Sequence, residues 1–104
     1  MPEKKQYIYF LRLIPRLLSD DNWTEADNAI VGRHFARLQV LLGEGRLVLA
    51  GRTQDEDPRG IVILETGTEE EARELMESDP AVAEGVMTAE LFPYRVALMR
   101  GMDG

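Results

Sequence analysis

The apolar positions change period along the chain, and each change falls at a turn or cap residue. Residues 6–14 (QYIYFLRLI) form a run of aromatic and β-branched side chains that stops at Pro15, which predicts a strand. The polar stretch Ser19-Asp20-Asp21-Asn22 separates it from a helix. Thr24 is placed as the N-cap, Asp27 takes the reciprocal capping-box position, and the 3.6-residue period continues to Leu42. Gly43 and Gly45 end that helix, because left-handed C-terminal positions favour glycine. Residues 46–50 (RLVLA) read as a second strand, residues 52–60 as a polar loop and residues 61–65 as a third strand.

A second helix opens at Thr68, with Glu71 completing a capping box and Glu69 and Glu70 beside the positive end of the helix dipole. Pro80 stops it. Glu69–Arg73 and Arg73–Glu77 are spaced to pair on its wet face. A short, helical turn over residues 81–85 leads to a last strand over residues 86–99, made irregular by Pro93, and Met102-Asp103-Gly104 is a tail. The order βαββαβ closes most simply as an α+β, ferredoxin-like sandwich, with two helices on one face of an antiparallel sheet.

The strands do not alternate as a sheet with one wet face should. Tyr7 to Leu11, Leu47-Val48-Leu49, Ile61 to Leu64 and Val96-Ala97-Leu98-Met99 are apolar on both sides. Two helices cover one face only, and the other would expose more than the few hundred Å² usual for a monomer. A second copy placed face to face, a homodimer of two-fold symmetry, is the expected remedy. The 52–60 loop and the tail are too polar to do the covering from within the chain.

The length of 104 residues suits a single domain over the whole chain, with its core at about residues 6–100. Twelve Lys+Arg against nineteen Asp+Glu leave a formal charge of −7, which argues against nucleic acid as a partner. Cysteine is absent, so disulfides, thiolate metal sites and cysteine nucleophiles are excluded. A single histidine excludes a multi-histidine metal site within one chain, and no cofactor motif is present. No apolar run is long enough for a bilayer, and Met1-Pro2-Glu3-Lys4-Lys5 lacks the apolar region of a secretory signal. The expectation is a soluble protein of a reducing compartment, the cytoplasm, without a membrane partner.

The candidate chemistry lies on the two helices. On the first, Ile30, Leu41, Leu38, Val31, Leu42 and Phe35 fall in an arc of roughly 40° to 180° from Ala26, and His34 falls at about 80°, inside it. His34 therefore faces the sheet. It is either a core histidine bonded to a backbone carbonyl or a general acid–base, since imidazole titrates near neutrality. On the second helix Ala72, Leu75 and Met76 make the apolar stripe, and Asp79 falls within it at the C-terminal end. A carboxylate there is unfavourable both for burial and for the helix dipole. Asp79 either ends the helix, as Asp-Pro pairs do, or pairs with a buried donor, His34 being the obvious one.

Arg12 shares a strand face with Ile8 and Phe10 and reads either as an interface salt bridge or as a clamp for a substrate carboxylate or phenolate. Tyr7, Tyr9 and Tyr94 either pack as aromatics or offer hydroxyl donors to a cavity. Trp23, just before the Thr24 cap, looks like a hydrophobic staple. Asp55-Glu56-Asp57 lacks the ligand spacing of a calcium loop and reads as solvated.

The stretch His34-Phe35-Ala36-Arg37-Leu38-Gln39, continuing through Glu44-Gly45-Arg46-Leu47 to Ala50-Gly51, joins Asp79-Pro80, Val82, Gly85-Val86 and Pro93-Tyr94 in a pattern that resembles the YciI-like (YCII-related) family from first strand to last. The resemblance implies a ferredoxin-like, dimeric α/β-barrel fold and a His–Asp active site at His34 and Asp79. It implies dehydrohalogenation as one reaction within the family's reach. Many relatives have Gly-Pro where this chain has Gly51-Arg52, which puts a cation at a pocket rim. Tyr94 stands where Phe often follows the proline, which adds a hydroxyl.

The function expected is acid–base chemistry (elimination, isomerisation or dehydrohalogenation) on a compact, anionic or phenolic organic molecule. His34 and Asp79 are the catalytic candidates, and Arg52, Arg12, Tyr94 and Tyr9 are the substrate-binding ones. The alternatives are a non-catalytic ligand-binding or regulatory dimer with a structural His–Asp pair, and an interaction module working through its acidic surface.

Overall fold

Strand β1 (Lys5–Leu13) runs inside the sheet of a computed structural model that describes residues 4–101. It is flanked by β3 (Arg59–Thr66) and β4 (Met87–Tyr94), and β2 (Leu47–Arg52) lies beyond β3. All pairs are antiparallel and the order is β2-β3-β1-β4, the ferredoxin-like arrangement. Helices α1 (Glu25–Gly43) and α2 (Glu69–Glu77) supply the second layer, and a single turn, α3 (Pro80–Ala83), follows α2. The α+β class and element order are those the sequence pattern predicts.

The two-residue period decides what each sheet face meets. Tyr7 lies opposite Leu64 and Pro93, Tyr9 opposite Val62 and Leu91, and Leu11 opposite Gly60 and Ala89. This face carries the core, packed against Leu38 and Leu41 of α1 and Ala72, Leu75 and Met76 of α2. The other face aligns Ile8 with Ile63 and Phe92, and Phe10 with Ile61. Ile8 and Ile63 are buried by their neighbours, but Phe10, Leu49, Phe92 and Tyr94 remain 37–45% exposed. The run of apolar residues in β1 is therefore apolar on both sides, as its lack of alternation predicts.

The start of α1 is pinned to the end of β1. Asp27 N–H donates to Thr24 Oγ1 at 3.1 Å and Thr24 N–H returns a bond to Asp27 Oδ2 at 2.9 Å, so the capping box closes in both directions. Asp27 also accepts both guanidinium nitrogens of Arg16, at 2.9 and 3.0 Å, from the 3₁₀ turn Pro15–Leu18. The Arg16 guanidinium, joined by the Thr24 N–H, holds the Asp27 carboxyl far below the usual carboxylate range. At the other end Gly45 takes φ 78°, a left-handed value that favours glycine.

Several local expectations are corrected. The last strand ends at Tyr94, so residues 96–99 are not a two-faced strand, and Leu98 is 92% exposed. The register runs through Pro93 without a shift, because β4 is a sheet edge where a missing N–H is tolerated. Thr68 accepts from Glu71 N–H, but the Glu71 carboxylate makes no return bond. Among the described residues neither Glu69–Arg73 nor Arg73–Glu77 comes within ion-pair range. Trp23 is not a staple, since the facing helical position is Asn28. Its indole N–H donates to Leu17 O at 2.9 Å, tying it to the small core of Leu17, Ala81 and Val86. The tail, residues 102–104, lies outside the described residues. Among those residues no helix is long and apolar enough to cross a membrane.

Candidate functional site

The apolar stripe of α1 is divided between two tasks. Leu38 and Leu41 close on the core, but Phe35 and Leu42 are 62% and 57% exposed and, with Val31, wall one side of a hollow. Strand β2 forms the opposite wall, with a register shift between Leu47 and Leu49. The hollow measures about 1020 Å³ and is lined mainly by apolar side chains. Asn28, His34, Gln39 and Arg52 bring polar groups to it.

Behind His34 stands a buried carboxylate. Helix α2 ends at Glu77, and Pro80 opens α3 with Asp79 as its N-cap. Asp79 is buried and directly follows the C-cap of α2, as expected, and only the unfavourable dipole is corrected, because the same residue caps α3. Its carboxylate sits at a helix N-terminus, where backbone donors favour negative charge, and Asp-Pro is an N-cap followed by proline at the first helical position. Asp79 Oδ1 accepts from Ala81 N–H at 3.0 Å and lies 2.7 Å from His34 Nδ1. Asp79 Oδ2 accepts from the Tyr9 hydroxyl at 2.8 Å. Asp79 and Tyr9 are almost wholly buried, and the His34 side chain is 12% exposed.

Both Asp79 oxygens already accept, Oδ1 from the Ala81 N–H and Oδ2 from the Tyr9 hydroxyl, an arrangement that suits an Nδ1–H donated from His34 to Oδ1. Among the described residues no buried side-chain N or O is left without a partner and Nε2 has no protein partner, so Nε2 is open to solvent, and His34 lines the hollow. The Tyr9 hydroxyl keeps its proton: burial, then the neighbouring Asp79 charge and the hydrogen bond to it, push its pKa far above the ordinary tyrosine range.

The candidates read from the sequence divide accordingly. His34 and Asp79 are brought into direct contact, and Arg52 shares the hollow with His34. Arg52 is exposed and makes no ion pair among the described residues. Arg52 also lines a smaller hollow of about 300 Å³ together with Asp20, Asp55 and Glu56. Tyr9 faces the helices but bonds Asp79 instead of offering its hydroxyl to the cavity. Arg12 and Tyr94 are not at the site. Strand alternation carries them to the far sheet face, where Arg12 pairs with Asp57 at 3.3 Å and Tyr94 lies opposite Gln6, 45% exposed.

Asn28, and Gln39 as a lining residue, lie outside the candidates read from the sequence, although their spacing with Val31, Phe35 and Leu42 repeats every three or four residues. The Ala81 N–H had no side-chain signal to mark it. Among the described residues no group of three or more His, Cys, Asp or Glu side chains gathers as a metal site requires. What the arrangement holds is an imidazole that lines an apolar hollow, backed by a carboxylate able to orient it and to stabilise its imidazolium form.

A family model described as the YCII-related domain matches residues 8–94. No curated protein sequence matches the chain. Among solved structures, the chain is similar to a 5-chloro-2-hydroxyhydroquinone dehydrochlorinase from Burkholderia phenoliruptrix in complex with 2,5-dihydroxybenzoquinone, at TM-score 0.66 and 16% identity, covering 86% of this chain and 93% of that one. A cofactor-independent oxygenase from Streptomyces nogalater aligns at TM-score 0.49 and 10% identity over 95% of this chain and 98% of its own. A dimeric ferredoxin-like protein from an uncultured marine organism aligns at TM-score 0.40 and 11% identity, over 95% of each chain. At such identities the likeness is one of fold.

Proposed function

The chain belongs to the YCII-related family, and from that premise we propose that it is a small enzyme performing acid–base chemistry on a compact organic molecule, anionic or phenolic, held between α1 and β2. His34 Nε2 takes the proton, and Asp79 orients the ring and stabilises the imidazolium. Elimination, isomerisation and dehydrohalogenation all begin with such a proton removal and need no covalent intermediate. A positioned base is worth about 10²–10⁴-fold in rate. The observation that carries the reading is a buried carboxylate bonded to the inner nitrogen of a histidine whose ring lines an apolar hollow.

Arg52, which lines the hollow and makes no ion pair among the described residues, suits a carboxylate or phenolate oxygen, and the apolar walls suit a ring. A hydroxylated ring like that named for the Burkholderia dehydrochlorinase meets both demands. The active form is a homodimer in which a second copy covers Phe10, Leu49 and Phe92.

The test is a thermal-shift screen of small phenols and aromatic acids on wild type, His34→Ala and Arg52→Gln, followed by product analysis of each hit. The reading expects a compound that stabilises the wild type and is converted by it. His34→Ala should lower conversion at least 100-fold while leaving a folded protein, and Arg52→Gln should weaken anionic ligands. Conversion that survives in His34→Ala overturns it.

One observation favours a second reading, a ligand-binding dimer without catalysis: Asp79 has a structural occupation, capping α3 and satisfying Tyr9. There, ligands bind with no product, and His34→Ala mainly lowers the melting temperature.

A further inference from the structure

We infer that Tyr9 is a positioning residue of this site: from the sheet it holds the Asp79 carboxylate in the one orientation that keeps the histidine proton on His34 Nδ1 and the lone pair on Nε2. The inference rests on the reading of His34 and Asp79 given above.

Three separate elements meet here, since Tyr9 comes from β1, His34 from α1 and Asp79 from the junction of α2 and α3. The Ala81 N–H bonds Oδ1 only. A carboxylate held through one oxygen still turns about its last torsion, which is broad and roughly two-fold for aspartate. Such turning would lengthen the contact with His34 Nδ1 or bring Oδ2 to it, an oxygen that lacks the backbone donor. The Tyr9 hydroxyl, 2.8 Å from Oδ2, removes that freedom.

The hydroxyl is itself well anchored. Its ring is 1% exposed, the register sets it between Val62 and Leu91, and it has only two side-chain torsions. It also keeps its proton, so its bond to Asp79 Oδ2 is a donated one. The simpler account is that a buried tyrosine hydroxyl needs any partner and Asp79 is at hand. That account leaves the imidazole indifferent to Tyr9, and the positioning account does not.

The single histidine makes the test clean, because a ¹⁵N-labelled protein shows one imidazole. Two-bond ¹H–¹⁵N correlation spectra are recorded on wild type, Tyr9→Phe and Asp79→Asn at a pH where the ring is neutral. Wild type should show widely separated shifts, with Nδ1 protonated and Nε2 bare. In Tyr9→Phe the separation should collapse towards a mixture of tautomers, with the fold checked by the backbone amide spectrum. A folded Tyr9→Phe protein with the wild-type imidazole pattern overturns the inference.

Should Tyr9→Phe not fold, the wild-type protein decides. A held hydroxyl gives a slowly exchanging proton resonance with a nuclear Overhauser contact to Ala81 N–H, and its absence overturns the inference. A wild-type imidazole bearing its proton on Nε2 instead brings down the His34–Asp79 reading itself, a failure distinguishable from that of Tyr9 alone.

Discussion

The Ala81 N–H donates to Asp79 Oδ1 at 3.0 Å, and the same oxygen lies 2.7 Å from His34 Nδ1, so one carboxylate oxygen serves both the cap of α3 and the imidazole. The consequence is local: a side chain read as the unfavourable end of α2 is the favourable start of α3. Pro80 makes the exchange possible, because it lacks an N–H and leaves the next amide, that of Ala81, to bond the cap.

Asp79→Asn and Asp79→Ala should therefore separate stability from chemistry. Asparagine keeps an oxygen for the Ala81 N–H and most of the packing, so its melting temperature should fall modestly while conversion of an identified substrate falls by about 10²–10⁴-fold. Alanine strands the Ala81 N–H, the Tyr9 hydroxyl and the His34 N–H without an acceptor. Each orphaned buried donor costs about 1–3 kcal/mol, so a loss of roughly 3 kcal/mol or more is expected, a drop on the order of 10–20 °C in Tm. Equal melting temperatures for the two variants would contradict this account of the carboxylate. Calorimetry of both proteins decides it.

Much of the frame was legible before the structure. The Thr24–Asp27 box, the glycines after α1 and Pro80 all mark boundaries that local backbone chemistry enforces, whereas the last strand, with no such stop after Tyr94, was drawn five residues too long. His34 was legible because helical spacing alone sets its face. Arg12 and Tyr94 were not, because alternation tells which strand residues share a face but not which face the helices cover. The hollow was hidden for a related reason. Phe35 and Leu42 have the spacing of core residues, and nothing local distinguishes an apolar wall of a cavity from a packed interior. The bond between Tyr9 and Asp79 spans strand and helix junction, a long-range pairing that no window of sequence contains.

The Tyr9 hydroxyl predicts the alkaline limb of stability. In the fold its pKa lies far above the ordinary value, whereas in the unfolded chain it ionises at about 10. A group whose folded pKa is raised gives stability that is complete below the unfolded value and is lost as pH rises past it. Wild type should thus lose stability above about pH 10 more steeply than Tyr9→Phe, in which that proton is absent. Urea unfolding of both proteins between neutral and strongly alkaline pH checks it, and parallel curves would refute the shift.

The acid limb has a different source. Asp27 is held far below the carboxylate range by Arg16 first and by the Thr24 N–H next. A depressed pKa gives stability that is present above the unfolded value, about 4, and is lost as pH falls below it. Asp27→Asn should lower stability at neutral pH, because the Arg16 pairing and part of the capping box go, and it should flatten the decline below about pH 4. Thermal melts across that range read both effects, and an undiminished acid decline in the variant would place its origin elsewhere.

The exposed sheet face makes the last prediction. Phe10 and Phe92 meet edge to face there, ring centroids 5.8 Å apart, and both remain about two-fifths exposed beside Leu49. Their ring faces and Leu49 have no helix over them, whereas Tyr7 and Tyr9, one pleat away, are buried under helices. If a second copy covers this face, light scattering should return twice the 11.8 kDa chain mass for wild type. Phe10→Glu, which sets a carboxylate beside Glu90 and removes the ring pair, should return the single-chain mass with the secondary structure kept. The His34–Asp79 contact lies on the opposite side of the sheet, so the ring signature of His34 should survive the change. A wild type of single-chain mass at tens of micromolar would show that the apolar face is tolerated bare, and the homodimer would have to be given up.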